Sequence, residues 1–249
     1  MNLNIYYFWV LSFLQLETKS FPPMRSKFSV YQILKRQLAN RNSAQYDTSR
    51  EGQLRAVAHR LGMDYSEFEE YSSRPLLSEF NLFKAGRNRT ISNILKKTED
   101  SFDTKLQIFD YRFETGYGKS SRTYNQTVFF VQSKNLALPE FSMEPESIFQ
   151  KIASYVFGAQ DIDFERFPKF SGNYLLKGED EEYIRFMMNE DLLHFFSSNT
   201  GWYMEGTNFY LIFYKMNTRF KARSIKQFYE QGKSVYESMA KEMKWKPLV

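Results

Sequence analysis

The chain contains no cysteine, and only two of its 249 residues are histidine, His59 and His194. The first absence removes disulfides, cysteine-ligated zinc, iron–sulfur clusters and thiol nucleophiles. The second leaves a histidine-dependent triad or metal site just two residues to draw on, and these are far apart in sequence. A long apolar run is also missing. Ile5–Leu16 is apolar, but a membrane-spanning helix needs roughly 20 such residues. No basic residue precedes this run as the n-region of a signal peptide requires, and no Ala-x-Ala-type cleavage site follows. Three readings of it stand side by side: an element packed on the core, a weak interfacial anchor, or upstream sequence joined by a misplaced start, with residues 1–23 outside the native protein.

Aromatic residues are abundant, at 18% of the chain with 25 Phe and 17 Tyr. Each buries a large area, so a sizeable aromatic core is expected. The formal charge of +5 is unevenly spread. Residues 1–62 and 215–249 each carry 9 basic and 3 acidic side chains, whereas the middle carries 16 basic and 23 acidic. Basic ends of this kind suit nucleic acid, an anionic membrane surface, a protein partner or the acidic middle itself, and they equally suit solvated helix faces.

The most distinctive stretch is 104–133. Two runs rich in β-branched and aromatic residues, Leu106–Glu114 and Thr123–Gln132, flank a Gly- and Ser-rich connector and read as an antiparallel hairpin. Alternation in the first run changes phase near Phe109–Asp110, which predicts a bulge or a bend there. Helical spacing predicts helices over 50–61, stopped by Gly62, over 142–157, over 180–197 in two pieces with Asn189 capping the second, and over 223–243. Gly232 in the last is placed for close packing. Strands are expected at 90–96, 136–141 and 174–177, with a second hairpin, 202–205 and 209–214, turning at Gly206–Asn208. Residues 67–71 read as an exposed acidic turn. The expectation is an α+β fold: an antiparallel sheet built from hairpins and covered by helices. A helical extension over 1–49 precedes a single domain over 50–249.

Gly116-Tyr117-Gly118-Lys119-Ser120 resembles the end of a phosphate-binding loop, but Phe113 stands where the first glycine must be. A strand also follows instead of a helix, so no helix N-terminus is available to hold phosphate. Two candidate sites remain. One is a binding tip, Asp110, Arg112, Tyr117, Lys119, Arg122 and Tyr124, whose basic and aromatic side chains suit RNA or an acidic partner. There, an Asp110 buried against Arg112 or Arg122 means a structural role, and an Asp110 lining a cleft means a functional one. The other is an acidic patch, Asp161, Asp163, Glu179 and Asp180, since paired carboxylates facing across a cleft could serve a hydrolase or transferase. No metal or cofactor constellation is apparent, and no catalytic residue is assigned.

The segments FDYRFETGYGKSSRTYNQTVFFVQS, LPEFSMEPES, DIDFERFPKFSGNYLLKGEDEE and GWYMEG…FYLIFYK resemble a family of uncharacterised bacterial proteins seen in cyanobacteria among others. The resemblance spans 63–214 and implies that Asp110–Arg112 and the tip form one unit. Several relatives carry membrane-spanning helices ahead of this region. Since the family has no established activity, the resemblance implies no catalytic residues. The expectation is a non-enzymatic binding or scaffold domain in the bacterial cytoplasm, with a membrane-peripheral location as the alternative.

Overall fold

The hairpin forms as expected. β3 (Thr104–Thr115) and β4 (Arg122–Gln132) pair antiparallel without interruption, from Lys105 opposite Gln132 to Thr115 opposite Arg122. The computed structural model describes residues 48–68, 77–99, 104–146 and 161–243. All of the fold below belongs to the compact unit Ser49–Val249; the expected extension over 1–49, Ile5–Leu16 included, falls almost wholly outside the described residues.

Around the hairpin grows an eight-stranded, fully antiparallel sheet in the order β1-β2-β3-β4-β8-β7-β5-β6. The other strands are β1 (Asp64–Phe68), β2 (Arg87–Glu99), β5 (Leu138–Pro145), β6 (Tyr174–Gly178), β7 (Tyr203–Asn208) and β8 (Tyr210–Tyr214). The helices are α1 (Thr48–Leu61), α2 (Asn81–Lys84), α3 (Pro168–Ser171), α4 (Glu181–Met187), α5 (Glu190–Ser198) and α6 (Ala222–Met243). This is the expected α+β class.

Both sheet faces are buried, and this explains the disturbed alternation of the first run. Leu106 and Ile108 join a core with Phe129, Val131 and Phe213, shared by α1, α4, α5 and α6. Phe109, Tyr111 and Phe113 point the other way, into a second core closed by Leu77, Phe80, Leu82 and Phe83. The bulge predicted in this run is therefore not in β3. It lies one strand over in β2, between Ser92 and Leu95, where Asn93 takes a φ of 55°.

Three other expectations need correction. Ser142–Pro145 continues β5 instead of opening a helix, because β6 and β7 pair with it on either side; the rest of that expected helix lies outside the described residues. Residues 64–68 form an edge strand, so the acidic turn expected from residue 67 begins within β1. Gly206 lies inside β7 and not in the turn, and a Cβ there would run into the Phe141 ring. The turn itself is Asn208–Phe209, with Asn208 at a φ of 52°. Gly232 in α6 packs directly on Phe129: a Cβ would lie 2.5 Å from its ring.

Candidate docking surface at one end of the sheet

Asp110 is 6% exposed, and its side chain faces α1. Arg50 of α1 grips it with two hydrogen bonds, Nε to Oδ2 and Nη2 to Oδ1, each 2.8 Å. Thr127 Oγ1 donates to Oδ1 at 2.9 Å, Asn93 Nδ2 to Oδ2 at 3.0 Å, and Arg219 Nε to Oδ2 at 3.3 Å. The β2 bulge is what aims Asn93 here, and Tyr65 of β1 donates to Asn93 Oδ1 at 2.7 Å. Arg50 also donates to the Phe220 carbonyl at 2.7 Å. A carboxylate offers about four lone-pair positions, and five donors already converge on this one. It has nothing left for a substrate or metal. Neither of the expected partners holds Asp110: Arg112 pairs with Glu114 at 2.7 Å, and Arg122 is exposed in the tip.

The tip stands beyond this clamp. β8 pairs with β4 only from Val128 onward, so Arg122–Thr127 extends past it, held through Thr127 N to the Thr218 carbonyl and Asn125 N to Asn217 Oδ1. Gly116 turns the chain at a φ of 69°, where a Cβ would collide with the Ser120 carbonyl. A 3-10 turn over Gly118–Ser120 follows, and Ser120 N and Oγ both donate to the Tyr117 carbonyl. These bonds preorganise the connector. Tyr117 is 79% exposed, with the Arg87 guanidinium 4.1 Å above its ring. Tyr124, by contrast, is half-buried and stacked on Phe113 at 4.9 Å.

The strand directions bring further cations to the same end. β2 begins there with Arg87 and Arg89 and the tip adds Lys119 and Arg122, whereas the segment after β8, with Lys215 and Arg219, reaches back to Asp110 and Thr127. Arg89 closes the α2–β2 turn by donating to the carbonyls of Lys84, Ala85 and Gly86, and Lys215 caps the Thr200 carbonyl over the Trp202 ring. Glu114 also lies at this corner, and it is engaged by Arg112 and by Asn88 at 2.8 Å.

The acidic candidates do not converge. Asp161 is half-buried and accepts the Leu176 N–H at 3.0 Å; burial raises its pKa. Asp180 caps α4 by accepting the Tyr183 N–H at 2.9 Å. Asp163 opens onto a cleft of about 600 Å³ between the 163–167 turn and α4–α5. Glu179 opens onto a different, smaller cleft of about 170 Å³ beside α2 and β7. Neither cleft contains a tip residue, and among the described residues no group of three or more acidic or histidine side chains is placed to hold a metal ion. His59 and His194 are both exposed, the latter edge-on to Phe167.

Sequence reasoning missed Arg50, Arg219, Arg87 and Glu205. Glu205 is 6% exposed beneath the smaller cleft and accepts from Asn81 N, Leu82 N and Tyr214 Oη at 2.5, 3.2 and 3.0 Å. Burial raises its pKa, opposed by those bonds and by Lys84. Its one signal was a carboxylate directly after the apolar Trp202–Met204.

No protein-family model and no curated protein matches the chain. Among solved structures, the fold is similar to the crystal structure of the mycobacterial trehalose monomycolate transport factor A, TtfA, with a TM-score of 0.51 at 11% identity, over 80% of this chain and 97% of that one. At such an identity the likeness shows the fold alone. Among the described residues no helix is long and apolar enough to cross a membrane.

Proposed function

We propose that the protein is a binding domain that docks an anionic partner on the basic corner around Tyr117. The observation that carries this reading is the tip itself: a rigid turn presenting an exposed ring between Arg87, Lys119 and Arg122, with the nearby Glu114 already engaged. A preorganised loop loses little entropy on binding, and clustered cations raise association rates with an anionic surface. The acidic segment supports no comparable reading as a hydrolase, since two of its four carboxylates bond to backbone N–H groups and the other two open onto separate clefts. TtfA is named a transport factor, which fits a binding role for this fold here as well.

The test is retention on a polyanion such as immobilised heparin. The wild-type chain elutes at a salt concentration that drops clearly in the doubly reversed variant Lys119→Glu/Arg122→Glu, because counterion release makes such binding salt-dependent. An unchanged elution position, with the fold intact by circular dichroism, removes the corner from consideration.

A further inference from the structure

Resting on that reading, we infer that the partner at the basic corner is the anionic headgroup surface of a lipid bilayer, met end-on by the Tyr117 hairpin. Three features of the corner favour a planar anionic surface over a strand of nucleic acid.

The first is shape. The connector 116–121 lies past the end of β8 and outside both clefts, and its one aromatic ring, Tyr117, is exposed. Single-stranded nucleic acid is held in grooves whose successive aromatics each stack a base. Here the second aromatic of the tip, Tyr124, is turned inward and already stacked on Phe113.

The second is chemistry at the apex. A tyrosine is an amphipathic ring suited to headgroup depth, where its body meets acyl carbon and its hydroxyl stays wet. Tyr117 is held for this by the turn behind it and by Arg87 on its face, so the exposed edge is the part left to enter.

The third is the arrangement of charge. Lys119 and Arg122 lie on the connector and at the start of β4, both exposed, and Arg87 sits over the Tyr117 ring. Exposed cations on the same connector as a single exposed ring match a sheet of anionic headgroups that each of them reaches independently. Each basic side chain near such a surface strengthens binding roughly fivefold. A pair of reversals therefore weakens it by well over tenfold.

The experiment is co-sedimentation of the full-length chain with vesicles of phosphatidylcholine alone or mixed with phosphatidylglycerol, at low and high salt. Tyr117→Trp serves as a fluorescent reporter in parallel, read as the difference from the wild-type emission. Expected are binding only to the anionic vesicles, its loss at high salt, loss in Lys119→Glu/Arg122→Glu, several-fold weakening in Tyr117→Ala, and a blue shift of the reporter's added emission on vesicles. Two results overturn the inference: vesicle binding that ignores all of these substitutions, or no vesicle binding alongside tip-dependent capture of single-stranded RNA. If vesicles fail but heparin retention still depends on Lys119 and Arg122, the bilayer is wrong and the docking surface stands. If both are indifferent to the tip, both fall.

Discussion

Asp110 and Arg50 hold the clamp together as an ion pair. The pair is buried, at 8% and 14% side-chain exposure, and removing one partner strands the other's charge in a poorly solvated setting. Asp110→Ala is expected to cost about 3–5 kcal/mol in urea denaturation, because Arg50 keeps its charge and loses its carboxylate. Arg219 meets the same carboxylate from a side chain 36% exposed, where water replaces much of the interaction. Arg219→Ala therefore costs about 1 kcal/mol or less through that pair. The order of the two effects is the test: an Asp110→Ala protein that is fully stable but has lost anionic docking places Asp110 in the binding surface instead of beneath it. Nothing near Asp110 in the sequence forecasts this arrangement, since its cationic partners lie 60 and 109 residues away. What the local sequence shows is a charged residue interrupting an apolar run, which says that it is held without saying by what.

Among the elements, α2 depends on a single carboxylate. It has one turn, no side-chain cap of its own, and carries Leu82 and Phe83 into the second core. Glu205 supplies the missing acceptor from β7, satisfying two N–H groups that would otherwise be buried without partners. Its raised pKa means that the folded protein binds a proton more readily than the unfolded chain does. This contribution to stability is fully present below the ordinary carboxylate range and is lost as pH rises through the raised value. Asp161 shifts the same way and adds to the slope. Melting temperatures measured from pH 4 upward should decline through this window, and Glu205→Gln should flatten the part due to Glu205 while leaving that of Asp161. A slope unchanged in Glu205→Gln refutes the assignment. Glycine within α6 offers a test of opposite sign from the general rule. Gly→Ala inside a helix is ordinarily stabilising by about 1 kcal/mol. At Gly232 the new Cβ would meet the fully buried Phe129 ring at 2.5–2.8 Å, so Gly232→Ala is expected to destabilise by about 1–3 kcal/mol. These elements also show where sequence reading succeeds. Gly62, the Asn189 cap and the first hairpin are set by neighbours a few residues apart, and they appear where periodicity and turn chemistry put them; the second hairpin forms too, with its turn two residues later than its glycine suggested. Ser142–Pro145 misled because a proline suits the first turn of a helix and the end of a strand equally. Pairing with β6 and β7, contributed from far along the chain, decides for the strand.

At the scale of the molecule, the sheet consists of two halves, β1–β4 and β8-β7-β5-β6, joined along the five residue pairs between β4 and β8. So narrow a seam would let the halves open separately if nothing crossed it. α6 crosses it. Phe228 meets the Phe129 ring of β4 edge-on at 6.4 Å, stacks on Phe213 of β8 at 6.1 Å, and lies parallel to Trp202 at 6.0 Å. The Arg50 bonds to Asp110 and to the Phe220 carbonyl add a second tie, from α1 to the segment leading into α6. Both ties join residues far apart in the chain, and neither was visible before the topology was known. Together these ties predict that the two halves unfold as one cooperative unit, in which slow exchange at Val128–Val131 and Leu211–Phe213 reports global opening. Phe228→Ala leaves a cavity against both halves and is expected to cost about 3–5 kcal/mol. Because the ring serves both sides of the seam, native-state hydrogen exchange should lose protection by the same amount in β3–β4 and in β5–β7, with no half opening first. Loss confined to β5–β7 while β3–β4 keeps its protection would show two independent halves, and the Tyr117 tip would then be carried by the β1–β4 half alone.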